Sequence, residues 1–475
     1  MNALSSSREE DDLLDFDISH WPAQVNGRTF TLKLEGLTYG GVEGESRSRL
    51  RNMFRLEEAK KREDIVNLSI HYSCCIDGPL LEAIMGFLKC KNREWISFTM
   101  TGINEVGNLH SHVEFSAELQ SLLQALKQIR VLKLHSSNIN TGHGLEVMLK
   151  EVPSLSNLEE LHLEGWEIDR ISATTLINSL EDNSHKSIRL LSLRSCRFLG
   201  ENTFPMVCGG LKGAEKLSTL DLSYCSLCDI EIIPLVGLVK AHPSIQFLDL
   251  EKNNCQNQSS LDVVAEWIGE DDCKLQGLNV GTLWAGFSED GLLVRFVDPK
   301  PFFSALTKNT SLRYLNVSGN YLDNKDIQQL TQSLSSQNWS CALRSLDVGV
   351  NPFDEKSALS LLQFVRENPT IQTLELENPF IKYKCAQLIK IQTEANFFGS
   401  FIQKSEDIPL SLWPTVIARV QKGQKPKRSK EVSELSTDHI YRLLRSSSGS
   451  YGKQLSLRIA LQSQRKQLPR IIDYK

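Results

Sequence analysis

Apolar residues along this chain recur in two alternating rhythms. Short stretches such as Leu217-Ser-Thr-Leu220-Asp-Leu222 alternate apolar and polar side chains, the period of a strand with one face buried. The sequence that follows such a stretch carries its apolar residues at helical spacing. Ile327, Leu330 and Leu334 fall on one helical face, and so do Leu119, Leu122, Leu123 and Leu126. The pattern predicts a strand, a turn and an amphipathic helix, repeated along the chain.

Three copies are regular: Leu312-Arg-Tyr-Leu315-Asn-Val317-Ser-Gly-Asn320-Tyr-Leu322, Leu343-Arg-Ser-Leu346-Asp-Val348-Gly-Val-Asn351-Pro-Phe353 and Leu217-Ser-Thr-Leu220-Asp-Leu222-Ser-Tyr-Cys225-Ser-Leu227. Each follows L-x-x-L-x-L-x-x-[N/C]-x-L, and the chain resembles the leucine-rich repeat family. Looser copies begin at Ile65, Trp95, Ile129, Leu158, Ile188, Ile245, Leu275 and Ile371, with a degenerate first copy around Phe30, Leu32 and Leu34. The intervals from Ile65 to Ile371 average about 31 residues, which leaves room for a full helix in each unit. Within the family the chain therefore resembles the ribonuclease-inhibitor-like, helix-bearing class. The resemblance implies an α/β fold, a curved solenoid or horseshoe of about 12 repeats with parallel strands on the concave face and helices on the convex face. The expected divisions are an acidic lead or cap at 1–28, the solenoid at 29–400 and a basic tail with short helices at 401–475.

A strand and helix of this size cannot bury their apolar sides alone, so each unit depends on its neighbours and the leucines form a shared core. The Asn or Cys at the ninth position is expected to satisfy backbone groups in the turn. On that reading Cys225-Ser-Leu-Cys228 belongs to the repeat. A zinc site would need a second ligand pair at compatible spacing, so no metal is expected. The longest interval, after Leu275, carries Gly281-Thr-Leu-Trp284-Ala-Gly-Phe287, which is expected to form a protruding loop.

Alternation sends the consensus leucines inward and the third, fifth and seventh motif positions to the concave surface. From Leu217 onward those positions include Asp221, Phe247, Asp249, Glu251, Tyr314, Asn316, Asp347, Glu375 and Glu377, with six acids and no Lys or Arg. They form the candidate protein-binding site, with Phe247 and Tyr314 as aromatic anchors and a basic protein segment as the expected ligand. The competing reading is that Asp at the fifth position is simply common in this family and the face is ordinary solvated polarity. Carboxylates there argue against nucleic acid. His135 and His162, in the mixed earlier repeats, read as exposed polar positions.

Charge adds a further asymmetry. The 475 residues have a formal net charge of −5. From Thr415 onward, however, Lys and Arg outnumber Asp and Glu by 14 to 4. This basic tail could lie on the acidic concave face of its own chain or of a second chain, competing with an external basic ligand. It also holds Lys427, Arg428 and Lys430, a minimal nuclear-import run. The lead interleaves Glu9, Glu10, Asp11, Asp12, Asp15 and Asp17 with Leu13, Leu14, Phe16, Ile18 and Trp21, and reads first as a cap on the opening repeat. No apolar run reaches membrane-spanning length, the N-terminus has no secretory pattern, and the 11 cysteines are scattered and odd in number. A cytoplasmic protein, with nuclear import as an option and no membrane insertion, is expected.

No phosphate loop, nucleophile elbow, paired-histidine zinc motif or dinucleotide fingerprint occurs, so no catalytic residue, metal or cofactor is assigned. The chain reads as a non-enzymatic protein-interaction scaffold. The alternative is a small-GTPase regulator, because the repeat class resembles the GTPase-activating proteins for Ran, though those usually end in an acidic tail. An immune or ligase-adaptor sensor would carry a further module that the sequence does not show.

Overall fold

The computed structural model describes residues 30–404, apart from 35–41, 63–64, 72–77, 90–94, 104–119, 137–142, 182–186, 288–289, 291 and 336–342. The acidic lead, most of the tail and the run Lys427, Arg428 and Lys430 lie outside the described residues. The chain divides into two compact units, Met1–Asp298 and Pro299–Lys475.

In the first unit the strands are β1 (Phe30–Leu34), β2 (Ile65–His71), β3 (Ser97–Ile103), β4 (Val131–Ser136), β5 (Glu160–Glu164), β6 (Glu167–Ile168), β7 (Leu190–Ser192), β8 (Arg197–Phe198), β9 (Thr219–Asp221), β10 (Phe247–Asp249), β11 (Gly277–Asn279), β12 (Ala285–Phe287) and β13 (Leu293–Arg295). Nine of them, β1 to β5 with β7, β9, β10 and β11, pair in chain order as one parallel ladder. The helices are α1 (Val42–Ala59), α2 (Gly78–Leu88), α3 (His143–Glu151), α4 (Arg170–Glu181), α5 (Thr203–Leu211), α6 (Asp229–Ala241) and α7 (Gln258–Ile268). The second unit repeats the plan with β14 (Tyr314–Asn316), β15 (Ser345–Asp347) and β16 (Thr373–Glu375), all parallel. Its helices are α8 (Lys300–Leu306), α9 (Asn324–Leu334), α10 (Glu355–Glu367) and α11 (Tyr383–Lys404). In the first unit α1 packs on α2 and α3 to α7 pack in succession, and in the second α8 to α11 do the same, so strands and helices form two layers of an α/β leucine-rich repeat solenoid. Among the described residues no helix is long and apolar enough to cross a membrane.

The consensus positions account for the core. Leu217, Leu220 and Leu222 are buried, as are Leu312, Leu315 and Val317, and the helical stripe Ile327, Leu330 and Leu334 is buried too. After β5, β7, β9, β10, β11, β14 and β15 the chain turns through a left-handed residue at the eighth motif position: Gly165, Ser195, Tyr224, Lys252, Thr282, Gly319 and Val350 have φ of 73°, 57°, 60°, 53°, 50°, 64° and 53°. The turn keeps the ladder going, because the Tyr224 amide donates to Glu251 O at 2.8 Å and the Lys252 amide to Gly281 O at 2.8 Å, one repeat ahead. Glycine is required at 165, where a Cβ would also stand 2.5 Å from Ser136 O.

The ninth position then satisfies the turn. Asn351 Nδ2 donates to Val317 O, Val348 O and Gly349 O, while its Oδ1 accepts from the Leu322 amide at 3.0 Å. Cys225 and Cys196 do part of the same job by donating Sγ–H to Leu193 O and Leu163 O, each at 3.0 Å. Cys228, three residues on, starts α6, with its amide donating to Glu231 Oε2 at 3.0 Å. Helix α9 begins likewise in a capping box, where Asp323 Oδ1 accepts from the amides of Lys325 and Asp326. The long interval after Leu275 forms the antiparallel hairpin β12–β13, seated on buried Leu283 and Trp284, with Leu292 and Leu293 exposed.

Candidate protein-binding face

The ladder register aligns the fifth motif position across the first unit. Ser69, Thr99, Lys133, His162, Ser192, Asp221, Asp249 and Asn279 are paired in succession, about 4.8 Å apart from strand to strand. The acids in this row are engaged locally. Asp221 Oδ1 accepts from the Ser223 amide at 2.9 Å, Asp249 Oδ1 from the Glu251 amide at 2.9 Å and Asn279 Oδ1 from the Gly281 amide at 3.0 Å. Each bond closes an Asx turn at the strand end. The remaining oxygens link repeats: Ser192 Oγ donates to Asp221 Oδ2 at 2.7 Å, and Asn279 Nδ2 donates to Asp249 Oδ2 at 2.9 Å and Glu251 Oε2 at 3.2 Å.

From His162 to Asn279 this row is buried where the alternation rule places it on an open surface, while Ser69, Thr99 and Lys133 are half-buried. Asp221 and Asp249 are 8% and 3% exposed, because side chains of adjacent strands stack along the ladder and cover one another. Burial, with the Asp221 charge alongside, holds the Asp249 carboxyl well above the usual carboxylate range. Phe247 is also buried, at 7%: its ring lies over Gly277, where a Cβ would stand 2.4 Å from Phe247 Cδ1. Its evident role is packing rather than anchoring a ligand. Glu251 remains half-buried.

The earlier repeats differ from expectation at the histidines. His162 is buried rather than exposed, with Nε2 3.4 Å from Glu160 Oε2, and desolvation lowers its pKa. His135 is half-buried, and burial together with the neighbouring Lys133, His162 and Arg194 lowers it to about 4. At neutral pH the ring is uncharged, so its Nδ1 contact with Glu164 Oε2 at 3.3 Å is a hydrogen bond and not an ion pair.

A further group became visible only in three dimensions. Arg194 Cζ and Lys252 Nζ each stand 4.6 Å from the centroid of the half-buried Tyr224 ring, and Lys252 Nζ donates to the Tyr224 hydroxyl at 2.7 Å. The same hydroxyl donates to Glu251 Oε1 at 3.4 Å. These residues occupy seventh and eighth positions of three successive repeats. The available signal was a Tyr at the eighth position with a base on either side, one repeat away.

In the second unit the register brings Tyr314 beside Ser345 and Thr373, and Asn316 beside Asp347 and Glu375. Asn316 is buried, and its Oδ1 accepts from the Ser318 amide at 2.8 Å; Asp347 Oδ1 accepts from the Gly349 amide at 2.8 Å. Tyr314, Asp347 and Glu375 are half-buried, while Glu377 is exposed. Burial pushes the Glu375 carboxyl up. Of the nine candidate residues, then, Asp221, Phe247, Asp249 and Asn316 are buried, and Glu251, Tyr314, Asp347, Glu375 and Glu377 remain within reach of a ligand.

No family model matches the chain. Ribonuclease inhibitors of Mus musculus and Sus scrofa are each 26% identical to it over 263 residues, covering 55% of this chain and 54% of theirs. The chain thus spans about half the length of these curated relatives. Among solved structures, the yeast Rad7 and Elc1 complex contains a chain matched with a TM-score of 0.41 and 12% identity, over 74% of this chain and 87% of that one. The TLR13–ssRNA13 complex is matched with a TM-score of 0.33 and 17% identity, over 68% and 42%. With the recurring motif, the parallel strand ladder, the helix in each unit and the ribonuclease inhibitor relatives in view, the chain has the leucine-rich repeat fold and is similar to the ribonuclease-inhibitor-like class.

Proposed function

We propose that this protein is a non-enzymatic binding scaffold whose strand face receives a basic segment of a partner protein. The observation that carries the reading is the accessible edge of the second unit. Glu375 and Glu377 follow each other on and just after β16, and the half-buried Tyr314 ring belongs to the same three-stranded ladder. A carboxyl held up by burial, as Glu375 is, gains most from an arriving Lys or Arg, which offsets its desolvation and supplies a charge-assisted hydrogen bond. Tyr314 supplies the aromatic area that such contacts usually need to become strong. In the first unit Arg194, Tyr224, Glu251 and Lys252 form a second amphipathic group of the kind that protein interfaces favour. The relatives, named for the inhibition of another protein, support the same kind of activity. The chain's own basic tail has the chemistry to compete for the acidic edge.

The test is a footprint. Partners captured from native extract are added back to the full-length chain, and amide hydrogen exchange is compared with and without them. Slowed exchange in 312–318, 343–349 and 371–377, with α8, α9 and α10 unchanged, is expected. Protection confined to the helices would move the site to the other layer and overturn the reading.

A further inference from the structure

Helix α1 is docked by one side and carries apolar residues on the other. Leu56, Ala59 and Asn52 are buried, whereas Leu50, Met53 and Phe54 are 54%, 41% and 69% exposed. The three lie at i, i+3 and i+4 and so form one outward stripe, where a surface helix ordinarily shows polar side chains. The helix carries four arginines in its middle and four acids, Glu43, Glu45, Glu57 and Glu58, towards its two ends. Arg47, Arg49, Arg51 and Arg55 occupy the span 47–55, which has no acid, and the Arg47 and Arg51 side chains are exposed.

We infer that this stripe is the docking surface for residues 9–21 of the same chain. That segment has the complementary chemistry in both respects: six acids, Glu9, Glu10, Asp11, Asp12, Asp15 and Asp17, interleaved with Leu13, Leu14, Phe16, Ile18 and Trp21. Chain length permits the contact. Residue 29 abuts β1, the strand that precedes α1, and the twelve residues 18–29 span up to about 40 Å, more than the roughly 27 Å length of α1. Tethering favours the chain's own segment over an outside one, because a short linker holds it at an effective concentration in the millimolar range. Exposed ion pairs contribute little singly, so the apolar contacts to Leu50, Met53 and Phe54 supply most of the attraction while the charges set register and orientation. The acidic segment then acts as the polar outer cover that an opening repeat requires.

The experiment is brief chymotrypsin digestion of the full-length chain, with cleavage after Leu13, Leu14, Phe16 and Trp21 followed by mass spectrometry. The variants are Arg47→Glu with Arg51→Glu, Asp11→Arg with Asp12→Arg, all four together, and Phe54→Ser; circular dichroism confirms that each remains folded. Each charge-reversed pair alone, and Phe54→Ser, is expected to speed cleavage about fivefold, and the fourfold variant to return to within about twofold of the wild type. Protection is expected to be independent of protein concentration. Equal cleavage rates in all variants would overturn the contact, as would failure of the fourfold variant to recover. Protection that disappears on dilution would overturn the intrachain assignment and place the segment on a second copy.

Discussion

Asp249 shows how a fifth-position carboxylate can be a liability as well as a structural link. It is 3% exposed, it is paired in register with Asp221, and its pKa is raised first by burial and then by that neighbouring charge. A raised native pKa means that the folded state holds a proton the unfolded chain has released. The associated stability is complete below about pH 3.9, the unfolded value, and is lost as pH rises through the folded pKa. Asn at this position keeps one acceptor for the Glu251 amide and removes the charge, while Asn279 Nδ2 retains its bond to Glu251. The Asp249→Asn variant is therefore expected to melt above the wild type at pH 7, with the gap closing towards pH 4; a lower melting temperature across the whole range would contradict this. His135 has the opposite sign. Its native pKa of about 4 lies below the unfolded value of 6.5, so its stability is complete above 6.5 and is lost as pH falls towards 4. Replacing it with Gln should flatten the loss of stability between pH 6.5 and 4, measured by urea unfolding at each pH.

At the scale of the element, the ninth position is the joint of each repeat. Asn351 is buried and bonds backbone groups of both its own repeat and the preceding one, so Asn351→Ala leaves several carbonyls and the Leu322 amide without that partner. A loss of about 1–3 kcal/mol is expected, read from the urea midpoint at constant slope. The joint was legible in the sequence, as were the strand, turn and helix order and the presence of an insert after Leu275, because each recurs or interrupts a period; the insert was expected as a protruding loop, whereas it forms a hairpin with Leu283, Trp284 and Ala285 buried. What was not legible is which outward positions stay open. That depends on neighbours: Phe247 is covered because residue 277 is a glycine over which its ring can lie, and Asp221 and Asp249 are spent on Asx turns and on bonds to a neighbouring strand. Alternation assigns a side chain to a face, but stacking along the ladder decides whether solvent reaches it. The stack of Arg194, Tyr224 and Lys252 was missed for the same reason, since its members come from three repeats.

At the scale of the molecule, a repeat array separates support from recognition. The leucines, the ninth-position residues and the buried fifth-position row maintain the stack, and substitutions there act on stability. Residues left accessible at the strand face can change without disturbing it. Glu375 and Glu377 meet that condition, since one is half-buried and the other exposed on the last described strand of the second unit and just beyond it. Affinity capture from native extract, comparing the wild type with a Glu375→Lys, Glu377→Lys variant of matched melting temperature, tests the central claim most directly. Loss of a defined set of partners, at about tenfold or greater depletion, is the expected result for two reversed charges facing a basic ligand. An unchanged set of partners, with the variant still folded, would contradict the assignment of protein binding to this face.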